Sequence, residues 1–209
     1  MRWLLAALAA VLAVVWIRCV VEGRAELERA EAAPDFASKI EHFQYALRWY
    51  APAGGVSAQA ADALEGLARL AEAQGRRDDA LAAWRRLRGG ILAIRHLGEP
   101  LGERLPMVNA RIADLMADAQ LAEGGPTLRG RDRAALIADH AALLALDPTP
   151  AAGWRMAILL GFLGWVASAF AVTRRGFDAE LKVRPGPLLR WGASTVVCFG
   201  IWLLALWRA

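Results

Sequence analysis

Three stretches of the 209-residue chain, residues 3–21, 154–172 and 188–206, are nineteen residues long and hold almost no charge, while residues 22–153 alternate charge with alanine and leucine. A helix rises 1.5 Å per residue and needs about 20 residues to cross roughly 30 Å of hydrocarbon, so each stretch just suffices for one passage through a bilayer. With 57% hydrophobic residues, 22% charged residues and a mean hydropathy of +0.31, the chain is too apolar for an ordinary soluble domain and too charged for a pure membrane bundle. The pattern predicts an all-α protein with three transmembrane helices and one soluble α-helical domain. Its parts are an anchor over 1–21, a soluble domain over 22–153, a second span over 154–172, a basic loop over 173–187, and a third span with its tail over 188–209.

The tryptophans suit this division. Trp3, Trp16, Trp154, Trp191 and Trp207 fall toward the span ends, where an indole is stable between acyl chain and headgroup, and Trp165 and Trp202 lie deeper as packing residues. The nearest small-x-small pattern for signal cleavage, Ala30-Glu31-Ala32, lies well past the apolar run and behind several charges. The first stretch therefore reads as an uncleaved anchor, with Arg18 snorkelling to the interface. Arg174, Arg175, Lys182, Arg184 and Arg190 crowd the connection between the last two stretches, which marks that loop as cytoplasmic. Parity then puts the amino terminus in the cytoplasm and residues 22–153 on the exported side. Arg18, Arg24 and Arg29 oppose that orientation, but long domains cross largely regardless of charge. Twenty-three arginines against two lysines, with abundant alanine, point to a GC-rich genome and a bacterial inner membrane.

Several function classes are excluded on composition. The sequence pI of 9.7 invites a nucleic-acid reading, yet residues 22–155 hold 17 basic against 19 acidic side chains, so no soluble surface is strongly basic. Cys19 and Cys198 sit in or beside apolar stretches and provide neither a disulfide framework nor a thiolate metal site, and Val15-Trp16-Ile17-Arg18 lacks the small residues of a lipobox. His42, His96 and His140 have no suitable ligand at i+3 or i+4, so no metal centre is expected. No nucleophile elbow, phosphate loop or acid–base pair is present, so no catalytic residue, cofactor or enzymatic activity is expected either. The apolar stretches lack Asp, Glu, His and Lys in their interiors, which argues against ion transport by this chain alone. Ala157, Gly161, Gly164 and Ser168, with Ser194 and Cys198, recur at i, i+4 or close to it, and predict close packing of the last two spans as a hairpin or a homo-oligomer.

Within the central segment, Gly54-Gly55, Gly98-Glu99-Pro100, Pro106 and Gly124-Gly125-Pro126 punctuate apolar residues at helical spacing. Helices are expected over 35–50, 57–74, 77–96, 105–122 and 131–146. Ser57 is the expected cap of the second, and Gly75 ends it before Arg76-Arg77-Asp78-Asp79 opens the third. Residues 67–84 resemble the helix–turn–helix of a tetratricopeptide repeat, with Leu67, Gly75, Ala80 and Trp84 on the signature's leucine, turn, small and aromatic positions. Ile40 to Leu47 is similar to the second helix of an earlier repeat through Phe43 and Ala46, followed by Pro52. Residues 146–154 are similar to a loop joining repeats. Ala68 and Ala71 stand where the family carries glycine and tyrosine, and an unrelated antiparallel α-hairpin domain satisfies the same pattern. The resemblance implies stacked hairpins and a protein-binding role. Without an obvious polar cap, such a stack leaves one end exposed.

The candidate partner-binding residues are His42, Tyr45 and Trp49 on an aromatic helix, together with Arg85, Arg88 and Arg95 on the following arginine-rich helix. Packing of the aromatic helix against the lead-in helix, and a solvated arginine face, are the plain alternatives. Gly89-Gly90 either permits a close helix contact or breaks that helix. The expected function is a membrane-anchored, non-enzymatic scaffold or assembly protein whose repeat-like domain binds a protein partner of a membrane complex. A second expectation is an accessory subunit of a transport or energy-coupling complex in which the carboxyl-terminal hairpin is the working part.

Overall fold

A computed structural model of the chain describes residues 2–95, 98–124, 131–146, 151–178, 180 and 182–208. His96, Gly125 and Pro126, and residues 147–150 of the expected inter-repeat loop lie outside the described residues, as does the side chain of Trp3. Eight α-helices form among the described residues: α1 (Arg2–Ala32), α2 (Phe36–Arg48), α3 (Val56–Ala73), α4 (Arg77–Ala93), α5 (Leu105–Glu123), α6 (Arg133–Ala145), α7 (Ala152–Arg175) and α8 (Pro185–Arg208). The five helices expected in the central segment appear as α2 to α6, each end within three residues of its predicted place. Helices α1 to α6 belong to one unit and α7 and α8 to another.

In the first unit the helices follow one another as packed neighbours. Helix α1 lies against α2 and α3, α2 against α3 and α4, α4 against α5, and α5 against α6. Pro34 follows the end of α1 and cannot continue it. Asp35 then opens α2, its carboxylate accepting from the Ser38 N–H at 2.9 Å and the Ser38 hydroxyl at 2.8 Å. Helix α3 ends in a Schellman turn: the Arg76 N–H donates to Ala71 O and the Gly75 N–H to Glu72 O, both at 2.9 Å. Gly75 sits there at φ +71°, which a side chain would strain. Ser57 does not cap α3. Gly55 holds the N-cap position, and the Ser57 hydroxyl is buried two residues further on without a hydrogen-bond partner.

Much of the first unit's core is alanine. Ala46, Ala60, Ala61, Ala68, Ala71, Ala80 and Ala83 are fully buried, and Trp84, Leu47, Leu64, Leu87 and Ile91 fill the space between them. The Trp84 indole N–H is satisfied by Glu72 on α3. Gly89-Gly90 does not break α4, which runs through both. A Cβ on Gly90 would come within 2.9 Å of Leu47 Cδ2 and 3.0 Å of Cδ1, so this glycine is where α4 meets α2.

Two helices among the described residues, rather than the three expected, are long and apolar enough to cross a membrane: Gly153–Arg175 and Pro185–Arg208. The first apolar stretch is not a helix of its own. It opens the 31-residue α1, which passes the expected boundary at Val21 without a break, since Gly23 is the only weak helix former there. Its later part packs on α2, α3 and their connection. The Trp16 indole N–H donates to Pro52 O at 2.9 Å, and Val20 is buried. A Cβ on Gly23 would come within 2.9 Å of Val56 and 3.2 Å of Trp49.

In the second unit α7 and α8 pack side by side, with Leu160, Leu163, Phe170, Val196, Val197 and Leu204 exposed on their outer faces. A Cβ on Gly161 would lie 2.8 Å from the Trp202 backbone nitrogen, and one on Gly164 would lie 2.8 Å from Cys198 Sγ. The small-residue positions thus bring one helix onto the backbone of the other. Ser168 is buried and donates back to Gly164 O at 2.7 Å, while Ala157 and Ser194 are half-buried. Trp165 and Trp202 stack at 5.8 Å with planes 3° apart, flanked by Phe162 and Phe199.

Two glycine substitutions separate contact from propensity. Gly66 lies in α3 with nothing within 4 Å of a built Cβ, so Gly66→Ala is expected to stabilise the protein by about 0.5–1 kcal/mol. Gly90→Val is expected to cost about 1–3 kcal/mol by forcing Leu47 out of place. Urea unfolding of the full chain in detergent, followed by tryptophan fluorescence, checks both signs. Equal stabilisation by the two would show that Gly90 is no contact point.

Candidate partner-docking site

Helices α4, α5 and α6 enclose an open groove of about 450 Å³, lined mainly by Leu92, Leu105, Pro106 and Leu144, with Arg88 and Asn109 as its polar contributors. Arg95 also borders it. Arg88, on α4, is held in place by both α5 and α6. Its Nε donates to Asn109 Oδ1 at 2.8 Å, and its Nη2 donates to the Leu144 carbonyl at 3.0 Å. Leu144 lies in the last turn of α6, where carbonyls lack intrahelical partners, so the guanidinium caps that helix and favours its negative end. Asn109 Nδ2 reaches the same carbonyl at 3.4 Å.

The six residues expected to bind a partner are dispersed. Arg88 and Arg95 share the groove just described, and Arg85 is exposed elsewhere on α4. His42 turns toward α1, its Nδ1 2.7 Å from Glu26 Oε2, and Trp49 is half-buried beside Gly23. Of the three aromatic-helix candidates only Tyr45 is exposed, and its hydroxyl donates to Glu41 Oε1 at 2.9 Å. That hydrogen bond to a carboxylate raises the tyrosine pKa above its ordinary value. Phe43, Ala46 and Leu47 are core residues, so much of the aromatic surface of α2 is spent on packing.

Helix α6 is fastened to α5 by charge. Arg133 donates through Nε to Asp118 Oδ1 at 2.7 Å and through Nη2 to Asp114 Oδ1 at 2.6 Å. The hydrogen bond from Arg133 holds the Asp118 carboxyl below its ordinary pKa, and the two carboxylates raise that of Arg133. Asp132 caps α6 by accepting from the Ala135 N–H at 2.8 Å. His140 contributes a 3.0 Å contact between Nε2 and Gln120 Oε1.

The outer side of α6 is apolar and uncovered within its unit. Leu136 is its only buried residue, while Leu143 and Leu146 are 64% and 69% exposed beside exposed Ala134, Ala138 and Ala142. Residues 134–146 contain only Asp139 and His140 as polar side chains, so the helix is apolar almost all round. That excess was the available signal for this face, and aromatic content and arginine count drew attention elsewhere. Among the described residues no group of three His, Cys, Asp or Glu side chains could hold a metal ion. No protein-family model, curated protein or solved structure matches the chain.

The charged fastening of α6 has a pH signature. Because the folded-state pKa of Asp118 is lowered, its contribution is complete above the ordinary aspartate value of 3.8 and is lost as pH falls through the lower folded value. Arg133 stays protonated throughout. Thermal unfolding of the full chain is therefore expected to lose stability between about pH 4 and pH 2, and Asp118→Asn to flatten that loss. An unchanged acid limb in the variant would remove Asp118 from the account.

Proposed function

We propose that this chain is a membrane-anchored, non-enzymatic scaffold that holds a protein partner on the outer face of α6 and the adjoining α4–α5–α6 groove. The observation that carries the reading is the exposure of Leu143 and Leu146 on the last helix of a run of packed hairpins. A stack of this kind normally closes with a polar outer helix, and an apolar one left open favours a partner that removes it from water. The sequential packing of α1 to α6 supports the tetratricopeptide-like reading of the central segment. Helices α7 and α8 are the membrane elements in this proposal. The basic connection between α7 and α8 lies in the bacterial cytoplasm and α2 to α6 on the exported side, following the positive-inside bias.

Photo-crosslinking in native membranes tests the docking face. A benzophenone side chain at Leu143 or Leu146 is expected to capture one protein reproducibly, and one at Tyr45 or Arg85 to capture far less. Leu143→Glu combined with Leu146→Glu is expected to lower recovery of that protein at least about tenfold, the effect of losing a modest hot spot. Crosslinks to lipid alone at all four positions would end the scaffold reading. Sidedness has its own check. In a Cys19→Ser, Cys198→Ser background, Arg85→Cys is expected to react with an impermeant maleimide from the exported side and Lys182→Cys is not. The reverse labelling would invert the orientation.

A further inference from the structure

Arg175 at the end of α7, Arg184 in the connection and Arg190 in α8 line one open groove of about 570 Å³, together with Gly186, Pro187 and Trp191. The chain path makes the convergence. Phe177 and Val183 pair as an antiparallel bridge, and the Arg184 N–H donates to Gly176 O at 2.8 Å, so the connection doubles back and returns Arg184 to the end of α7. Two of the three guanidinium groups then approach a single ring: Arg175 lies 5.5 Å and Arg190 5.9 Å from the centre of the Trp191 indole.

Like charges gathered this way repel, and nothing described nearby compensates them. None of the three arginines has a carboxylate within ion-pair distance among the described residues, whereas Arg69, Arg76, Arg104 and Arg133 of the first unit are all paired. Asp178, one of two acidic residues in the connection, spends its Oδ1 on the Glu180 and Lys182 backbone N–H groups at 3.1 and 2.7 Å. Glu180 is exposed and joined to none of the three. A Cβ built on Gly186 meets nothing within 4 Å, so the groove is open there. Each guanidinium presents planar N–H pairs matched to phosphate oxygens, and the positive end of α8 adds to their field.

The geometry points to a binding site for the phosphate of an anionic lipid headgroup, built by Arg175, Arg184 and Arg190 around Trp191. The lipid source follows from position. The groove lies where two helices of spanning length end, beside an indole of the kind that resides at headgroup depth, and basic pockets between helix ends suit such headgroups. This assignment rests on the membrane reading of α7 and α8.

Native mass spectrometry of the full chain in neutral detergent tests it, with phosphatidylglycerol and phosphatidylcholine of identical acyl chains as probes. Phosphatidylglycerol is expected to be retained at least about tenfold more than phosphatidylcholine, a difference of about 1.4 kcal/mol. Arg184→Gln, which disturbs no ring contact, is expected to lower that retention several-fold, and Arg175→Gln with Arg184→Gln and Arg190→Gln to abolish the preference. A control of equal charge loss, Arg174→Gln with Lys182→Gln and Arg208→Gln, is expected to keep it. Equal losses in the two triple variants would reduce the effect to diffuse charge and overturn the site. Binding of inorganic phosphate without lipid, with the same sensitivity to Arg184→Gln and displacement of the lipid at millimolar concentration, would overturn the lipid assignment in favour of a free anion. Failure of the wild-type chain to float with vesicles of phosphatidylcholine alone would instead sink the membrane reading and the site with it.

Discussion

Close approach of helix backbones is the constraint on which both units depend. A buried alanine removes little area from water, at about 0.8 kcal/mol per methylene-sized group, so a core rich in alanine gains enough only if helix axes come near and larger side chains fill the remaining gaps. Ala46, Ala60, Ala61, Ala68, Ala80 and Ala83 allow that approach, and Trp84 with Leu47, Leu64 and Leu87 fill what it leaves. Gly90 takes the same logic to its limit, since Leu47 occupies the space a methyl group would need. The α7–α8 pair, whose helices are long and apolar enough to cross a membrane, repeats it. There Gly161 accepts the backbone of Trp202, and stacked Trp165 and Trp202 contribute the van der Waals contact.

Helix positions in the central segment were legible because each boundary carries a local chemical signal. Gly54-Gly55, Gly75 and Gly124 act through backbone conformation, which depends on a few adjacent residues. Features that depend on residues far apart were not legible. Gly55 displaced Ser57 from the cap of α3 because the chain enters that helix in a left-handed conformation. Arg88 read as one of several arginines on a solvated face, yet the carbonyl it caps belongs to a helix fifty-six positions on. The continuity of α1 was hidden by the change from apolar to charged residues at Val21, since composition can change along a helix that hydrogen bonding leaves unbroken.

The arginines divide by environment rather than by number. In the first unit several are neutralised by carboxylates from another turn or helix, as Arg133 is by Asp114 and Asp118 and Arg104 by Asp62. Exposed pairs of this type are worth little singly, and Arg133 fastens α6 to α5 by engaging two carboxylates at once. At the α7–α8 connection the balance is lost: Arg175, Arg184 and Arg190 gather with a carboxylate that is already engaged by backbone. A positive-inside signal requires only that cations be present in a short loop. It does not require that three of them line one groove, so their arrangement carries information beyond orientation.

The opening of α1 links the soluble and membrane readings. Trp16 is bound to Pro52, and the fourteen residues from Arg2 to Val15 cover about 21 Å as a helix, less than the roughly 30 Å of a hydrocarbon core. That stretch falls short of a full passage, in keeping with α7 and α8 being the helices of spanning length and hydropathy among the described residues. Beyond Val15, Trp16 and Val20 meet the Ala51–Gly54 turn while Ile17 and Val21 stay exposed, so one continuous helix passes from an apolar opening to a face packed on the α2–α3 connection.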